Sequence, residues 1–394
     1  MRPAASRRFA VVGVPDNRRV AFFQRALRTA GLPEARVVPW LDVLRGRAAF
    51  SEGETVRIDS PGEDPEVDRL LRGVEDPSRV EGTGRWYARF TEAVRELAGS
   101  VRAAGGTLLD DPDELSVLFD KRLCHERLSA AGVAVPPSPT SGAGAPAVRG
   151  WDDVRAVLAE PGYRRAFVKL AHGSSASGVL AVEFAGGGRI RATTSVERTP
   201  DGRLFNSLRL RRYTAEPEIA AIVDALAPDG LHIERWLPKA VQHGRAADLR
   251  VVVVAGRATH AVVRTSRSPL TNLHLGGLRG DLAEARAAVR AAGRSWRDDV
   301  LGLCERTAGR FPGTLCVGVD LLPATGWRRF AVGEVNAFGD LLPGLTGLPG
   351  SGSEGLDTYA AQVAEHSWPH CGKIGRYVSH KARSHTGPTN VWFS

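Results

Sequence analysis

Lysine is nearly missing from this sequence: five of its 53 basic residues are lysine and 48 are arginine. Cysteine is scarce too, with four in 394 residues. Cys124, Cys304, Cys316 and Cys371 show no CxxC spacing, which excludes a disulfide framework and the common zinc ribbons and fits a reducing cytoplasm. No apolar run approaches the roughly 20 residues that cross a bilayer. The longest, such as residues 251–255, end far short of that, so no membrane association is expected. The N-terminal arginines precede only the short stretch 9–14, which reads as a strand and not as a signal peptide. A GxGxxG loop is absent, so a dinucleotide is not indicated.

The net charge of +9 invites a nucleic-acid reading. The arginines, however, are scattered through periodic segments and form no dense tract. That pattern argues against nucleic acid and suits solvated faces or an anionic small substrate. Hydrophobic residues at 43% and charged ones at 25% are ordinary globular values. A chain of 394 residues exceeds what one core usually serves, so two or three domains are expected. Only Lys121, Lys169 and Lys239 precede residue 366. Where arginine has displaced lysine almost everywhere, a retained lysine suggests that a compact ammonium is needed there.

Residues 1–115 read as a small α/β unit with a Rossmann-like parallel sheet. A strand at 9–14 is followed by a helix with Val20, Phe23, Leu27 and Ala30 on one face, closed by Gly31. A second strand lies near 36–40. Phe90, Val94, Leu97, Val101 and Ala104 make a helical stripe that stops at Gly105. The polar segment 57–64 falls where a strand would end, and is either a substrate-lining loop or a plain turn. One helix is expected from 114 to 131, then a proline-rich loop at 136–146. Strands follow at 166–170, 179–184, 204–210 and 231–235. A hairpin (248–255 and 258–264), helices at 281–292 and 295–309, and strands at 315–322 and 329–335 complete an α+β pattern of antiparallel sheets. The stretch 366–394 holds four of the ten histidines and no apolar periodicity, and is expected to be a disordered tail. A metal site on His366, His370 and Cys371 would lack any established zinc spacing.

Three constellations carry chemistry. A strand delivers Lys169 directly into a loop of small residues that includes Gly173, Ser174, Ser175 and Gly178. Small residues let backbone N–H groups approach phosphate oxygens while the ammonium neutralises charge. Glu334 and Asn336 lie two apart on a strand and project from one face, with Asp320 on the neighbouring strand. Two carboxylates and an amide oxygen form a hard-oxygen set suited to Mg²⁺. Arg250 and Arg264 fall on paired strands, positioned either for an anion or for a structural ion pair.

In order and spacing these segments resemble the ATP-grasp ligases. The resemblance rests on Asp120-Lys121 opening a helix, Phe167-Val168-Lys169 and its Ser/Gly loop, and Ile233-Glu234-Arg235-Trp236-Leu237. It continues with Asp248-Leu249-Arg250, Asn272-Leu273-His274-Leu275-Gly276-Gly277, Gly318-Val319-Asp320-Leu321-Leu322 and Glu334-Val335-Asn336. It covers about residues 115–345 and is nearest the glutathione-synthetase and ribosomal-protein glutamate-ligase branch. It implies a pre-ATP-grasp domain over 1–115, ATP-grasp subdomains over 116–238 and 239–365, and a tail from 366. Lys121 and Lys169 would hold ATP phosphates under the loop 173–178. Glu234, Trp236 and Leu237 would meet adenine, and Asn272 would close over the phosphates. Asp320, Glu334 and Asn336 would bind one or two Mg²⁺, with Mn²⁺ as an alternative. Arg250, Arg264 and Lys169 would act on the transferred phosphate. The implied reaction joins a small-molecule or peptide carboxylate to an amine; phosphoryl transfer without ligation is the alternative. Leu270 stands where relatives often carry arginine, with Arg267 nearby, and 337–343 departs from the Ala-Ser-Pro-Gly of the best-known ligases.

Overall fold

The structure, a computed structural model, describes residues 8–173, 176–184, 188–338, 342 and 344–367. Its first sheet is parallel, ordered β2-β1-β3-β4, from β1 (Arg8–Gly13), β2 (Arg36–Pro39), β3 (Glu54–Ile58) and β4 (Thr107–Leu108). Parallel pairing needs crossovers. They are supplied by α1 (Arg18–Thr29), α2 (Trp40–Leu44), α3 (Pro65–Arg72) and α4 (Thr83–Ala103). Asn17 caps α1, accepting from Arg19 N at 2.8 Å, and Asp64 with Pro65 opens α3, so side chains meet the orphan N–H groups at both starts.

The single helix expected over 114–131 is two: α5 (Pro112–Leu118) and α6 (Lys121–Ala130). The Asp120 carboxylate accepts from Arg122 N and Leu123 N, so the chain caps a new helix instead of extending the old one. The break puts Lys121 at the first turn of α6.

A second sheet, antiparallel and ordered β8-β7-β6-β5-β9, combines β5 (Arg165–Leu170), β6 (Leu180–Phe184), β7 (Ile190–Arg198), β8 (Leu204–Tyr213) and β9 (Leu231–Arg235). Helices α7 (Trp151–Ala159) and α8 (Glu216–Leu226) cover one face, burying Val154, Leu158, Ile219 and Ile222 against Val168, Leu180 and Val182. The period of two then directs Phe167 and Lys169 to the opposite face.

The third sheet is ordered β13-β12-β11-β14-β15, with β10 paired to β11. Its strands are β10 (Val241–Gln242), β11 (Arg245–Val254), β12 (Arg257–Ser266), β13 (Leu278–Arg279), β14 (Cys316–Pro323) and β15 (Phe330–Asn336). Helices α9 (Leu282–Ala291) and α10 (Gly302–Ala308) pack beside it, and α11 (Thr358–Ser367) follows. One apolar cluster runs from Val56 and Ile58 of the first sheet through Phe90 to Leu249, Val251 and Val319 of the third. The second sheet has its own core. Tyr359 and Val363 of α11 pack with Phe23 and Leu27 of α1. The expected tail begins with the last two residues of α11, and its remainder, including His370 and Cys371, lies outside the described residues. Among the described residues no helix is long and apolar enough to cross a membrane.

Where the first and third sheets meet, Asp110 is 6% exposed beside the buried Arg57. Burial pushes its carboxyl from 3.8 up to about 7, against the pull of Arg57. An acid whose folded value is raised binds its proton more tightly folded than unfolded. Its contribution is therefore present at about pH 4 and is lost as pH rises through about 7, by up to about 4 kcal/mol. Asp110→Asn should remove that slope. Urea unfolding at pH 5 and pH 8 would show a smaller loss of stability in the variant than in the parent.

Candidate active site

The third sheet builds the densest part of the site by register. Arg264 lies opposite Asp248, Arg250 opposite Asp320, and Asp320 opposite Glu334. Directly opposed residues share a sheet face, as do Asp248 and Arg250 two apart, so one face carries a ladder of charged residues: Arg264, Asp248, Arg250, Asp320 and Glu334. The intervening Leu249, Val251, Val263, Val319 and Val335 go into the core. A bulge between Asp320 and Leu321 skips Gly333, and a Cβ there would come within 2.9 Å of Leu322. Bulges re-aim neighbouring side chains, here Glu334.

Arg264, Asp248, Arg250 and Asp320 of the ladder are ion-paired with one another. Arg264 Nε donates to Asp248 Oδ1 at 2.7 Å and its Nη2 lies 3.1 Å from Asp320 Oδ2. Arg250 donates through Nε to Asp320 Oδ1 and through Nη2 to Oδ2 at 3.0 Å. Burial works to raise the Asp320 carboxyl, but Arg250 and Arg264 outweigh it and hold it at about 2. The same pairing, with Asp320 and Asp248, keeps the Arg264 guanidinium charged despite its burial.

Two lysines approach from the second sheet and α6. Lys121 Nζ sits 3.0 Å from Glu334 Oε1 and donates to Gly173 O at 2.5 Å. Lys121 N also donates to Ala171 O at 2.9 Å, tying the start of α6 to the end of β5. Lys169 Nζ donates to Glu234 Oε2 at 2.5 Å across the β5–β9 pair. Burial favours the neutral Glu234 acid, but Lys169 and the His232 ring reverse that and hold it well below the usual carboxylate range. The loop between β5 and β6 needs Gly178: its φ is +66°, and a Cβ would meet Leu170 Cδ1 at 2.4 Å. Ser174 and Ser175, expected phosphate contacts, lie outside the described residues.

The structure thus brings Lys121, Gly173, Glu334, Asp320, Arg250 and Arg264 into one connected set. Lys169 and Glu234 form a separate pair on the facing sheet. Asn336 Nδ2 contacts Gly318 O at 3.4 Å on the strand beside Asp320. Asn272 accepts from His274 N at 2.8 Å and caps the turn beyond β12. Trp236 N donates to Arg165 O at 3.0 Å, so this N–H is already engaged, and the Leu237 side chain is buried. Leu270, in place of the usual arginine, buries against Val179 and Leu275. Among the described residues no three His, Cys, Asp or Glu side chains are grouped to hold a metal. The expected set has Asp320 on β14 and Glu334 and Asn336 on the adjacent β15, and its oxygen-only chemistry fits a hard cation.

A cleft of about 850 Å³ opens between the second and third sheets, lined among others by Arg191, Arg212, Trp236, Lys239 and Arg267. Its size suits a nucleotide or a peptide segment, and its cations suit an anion. Sequence reasoning gave no role to Asp248 or Thr271, both buried in the charge network. Their signal was spacing: Asp248 stands two residues before Arg250 on a strand.

No protein-family model matches the chain, and no curated protein matches it in sequence. Solved structures do. The ATP-grasp ligase PsnB complexed with a minimal precursor aligns over 91% of this chain and 99% of its own, with a TM-score of 0.51 and 17% identity. This chain has the ATP-grasp fold. PsnB complexed with minimal precursor, Mg and ADP aligns over 91% and 96%, at TM-score 0.50 and 17% identity. In this fold the Lys169–Glu234 pair lies on the second sheet, the charge ladder lies on the third, and Lys121 reaches Glu334 from α6.

Proposed function

We propose that the protein is an ATP-dependent carboxylate–amine ligase, with ATP and Mg²⁺ used at the cleft between the second and third sheets. The observation that carries this reading is the ladder of Arg264, Asp248, Arg250, Asp320 and Glu334, met at Glu334 by Lys121, which also donates to Gly173 O. A substrate carboxylate oxygen attacks the γ-phosphorus of ATP, breaking its bond to the β–γ bridging oxygen and releasing ADP. The resulting acyl-phosphate is attacked at carbon by an amine, which expels phosphate and loses a proton to form the amide. Lys121 and Lys169 bind phosphate oxygens, exchanging their carboxylate partners for the nucleotide. Arg250 and Arg264 orient the transferred group. Glu234, Trp236 and Leu237 receive the adenine, and Asn272 lies over the phosphates. Asp320, Glu334 and Asn336 would hold Mg²⁺ or Mn²⁺, which supplies positive charge against the triphosphate.

Holding the three reactants together contributes on the order of 7–11 kcal/mol to the rate. Excluding water protects the acyl-phosphate. The acid is a small molecule or a peptide; PsnB is described with a bound precursor, and the open cationic cleft here supports either class. The buried free thiols of Cys124, Cys304 and Cys316 support a reducing compartment, and we place the protein in the cytoplasm.

The experiment is a screen of acid–amine pairs for Mg²⁺-dependent ADP release, with mass spectrometry of the product. An amide mass equal to acid plus amine minus water is expected. A stable phosphorylated acid that amines do not consume would replace ligation with plain phosphoryl transfer. Glu334→Gln should cut turnover by roughly 10²-fold and raise the Mg²⁺ concentration needed for half-maximal rate. An unchanged Mg²⁺ requirement would remove Glu334 from the metal set.

A further inference from the structure

Lys239 is the retained lysine to which the nucleotide reading gives no task. Its backbone is fixed: Lys239 bridges to Ala324, and Ala240 N donates to Pro323 O at 2.8 Å. Its side chain is buried, 9% exposed, and lies in the wall of the cleft. Nζ donates to Thr271 Oγ1 at 2.8 Å and to Pro269 O at 3.4 Å, and sits 3.6 Å from Asp248 Oδ2. The Thr271 hydroxyl donates in turn to Asp248 Oδ2. It therefore accepts from the ammonium and gives to the carboxylate, which satisfies all three groups. Asp248 also accepts from Arg264, and Arg264 reaches Asp320.

Pro269 and Thr271 belong to the segment 267–277, which also carries Asn272. Leu270 and Leu275 of that segment bury against Val179 and pack with Phe167 and Leu210 of the second sheet. One stretch of chain is thus held at both sides of the cleft, by two leucines on one and by a hydroxyl on the other. Burying an ammonium is costly, and burial does lower the basicity of Lys239, with Arg264 and Lys169 adding to the effect. If filling space were the only requirement, an apolar side chain would serve at lower cost.

We propose that Lys239 is a positioning residue, the latch that holds segment 267–277 closed across the cleft through Thr271 and Asp248. Its polar partners lie in the segment and in the ladder that carries Arg264. Closing the segment brings Asn272 over the cleft and keeps Asp248 aligned on Arg264. The effect on nucleotide rests on the ATP reading of the cleft; the latch itself does not.

The test uses the full chain, with hydrogen–deuterium exchange resolved by peptide and calorimetric binding of ADP with Mg²⁺. Lys239→Met and Thr271→Val should each speed exchange in 267–277 by about tenfold, the effect of losing a hydrogen bond to a charged group. Exchange in β11 and β14 should stay as in the parent, and Thr271→Ser, which keeps the hydroxyl, should behave as the parent. The first two variants should bind ADP about tenfold more weakly. Unchanged exchange in 267–277 would overturn the latch. Equal acceleration through β11 and β14 would overturn it as well, making Lys239 a fold residue only. Faster exchange with unchanged ADP affinity would overturn its role in closing on nucleotide. If the parent binds no ADP, the ATP reading fails separately, and exchange alone decides the latch.

Discussion

Lys169→Ala is expected to lower ATP turnover by about 10²–10³-fold, because it removes the positive charge that we propose binds the phosphates. Its second effect is on the fold. Glu234 is 5% exposed and is held ionised by Lys169, so the substitution leaves an uncompensated charge in the interior. Breaking such a pair from one side costs roughly 3–5 kcal/mol. The two effects separate in the double variant Lys169→Ala with Glu234→Gln. Stability by urea unfolding should largely return, because the neutral amide needs no counter-charge, while turnover should stay low. Recovery of turnover along with stability would mean that Lys169 serves only its ion pair.

Asp320→Asn is expected to have the largest combined effect. Asp320 stands between Arg250 and Arg264 and opposite Glu334. Removing its charge takes from Arg250 a carboxylate partner and leaves Arg264 only Asp248, and we expect a loss of about 3–5 kcal/mol in unfolding free energy. Turnover should fall below detection with Mg²⁺ present. Its carboxyl is depressed from 3.8 to about 2, so its ion-pair stabilisation is present above about pH 4 and fades as pH falls towards 2. The variant should lack that acid-limb loss. A variant as stable and as active as the parent at pH 7 would remove Asp320 from both roles.

What the sequence disclosed followed the strength of its periodicity. Residues 166–170, 231–235, 248–264 and 315–335 carry the site, and they are the strands with alternating buried apolar residues. Glu334 and Asn336 could therefore be assigned to one face, with Asp320 on the neighbouring strand and Lys169 on a strand leading into its loop. β7 was hidden because Thr193, Thr194 and Ser195 look polar although they are buried. The break between α5 and α6 was not marked by periodicity, which ran one helix through 114–131; only the resemblance had Asp120-Lys121 opening a helix, and the Asp120 carboxylate does cap Arg122 N and Leu123 N. An ion pair was one of two options for Arg250 and Arg264, but which carboxylate each site cation meets was not legible. It depends on strand register across the sheet, which one strand's sequence does not contain. Lys239 was visible only through the rarity of lysine; its partners Thr271 and Asp248 come together through tertiary contacts.

The central claim is that a substrate carboxylate takes the γ-phosphoryl group before it meets the amine. An acid labelled with ¹⁸O in its carboxylate, turned over with ATP, Mg²⁺ and the paired amine, tests this directly. Acyl-phosphate formation predicts one ¹⁸O atom in each phosphate released, read as a mass shift of the phosphate, with the other label kept in the amide. Unlabelled phosphate alongside amide product, or label locked in a phosphorylated acid that never yields amide, would contradict it.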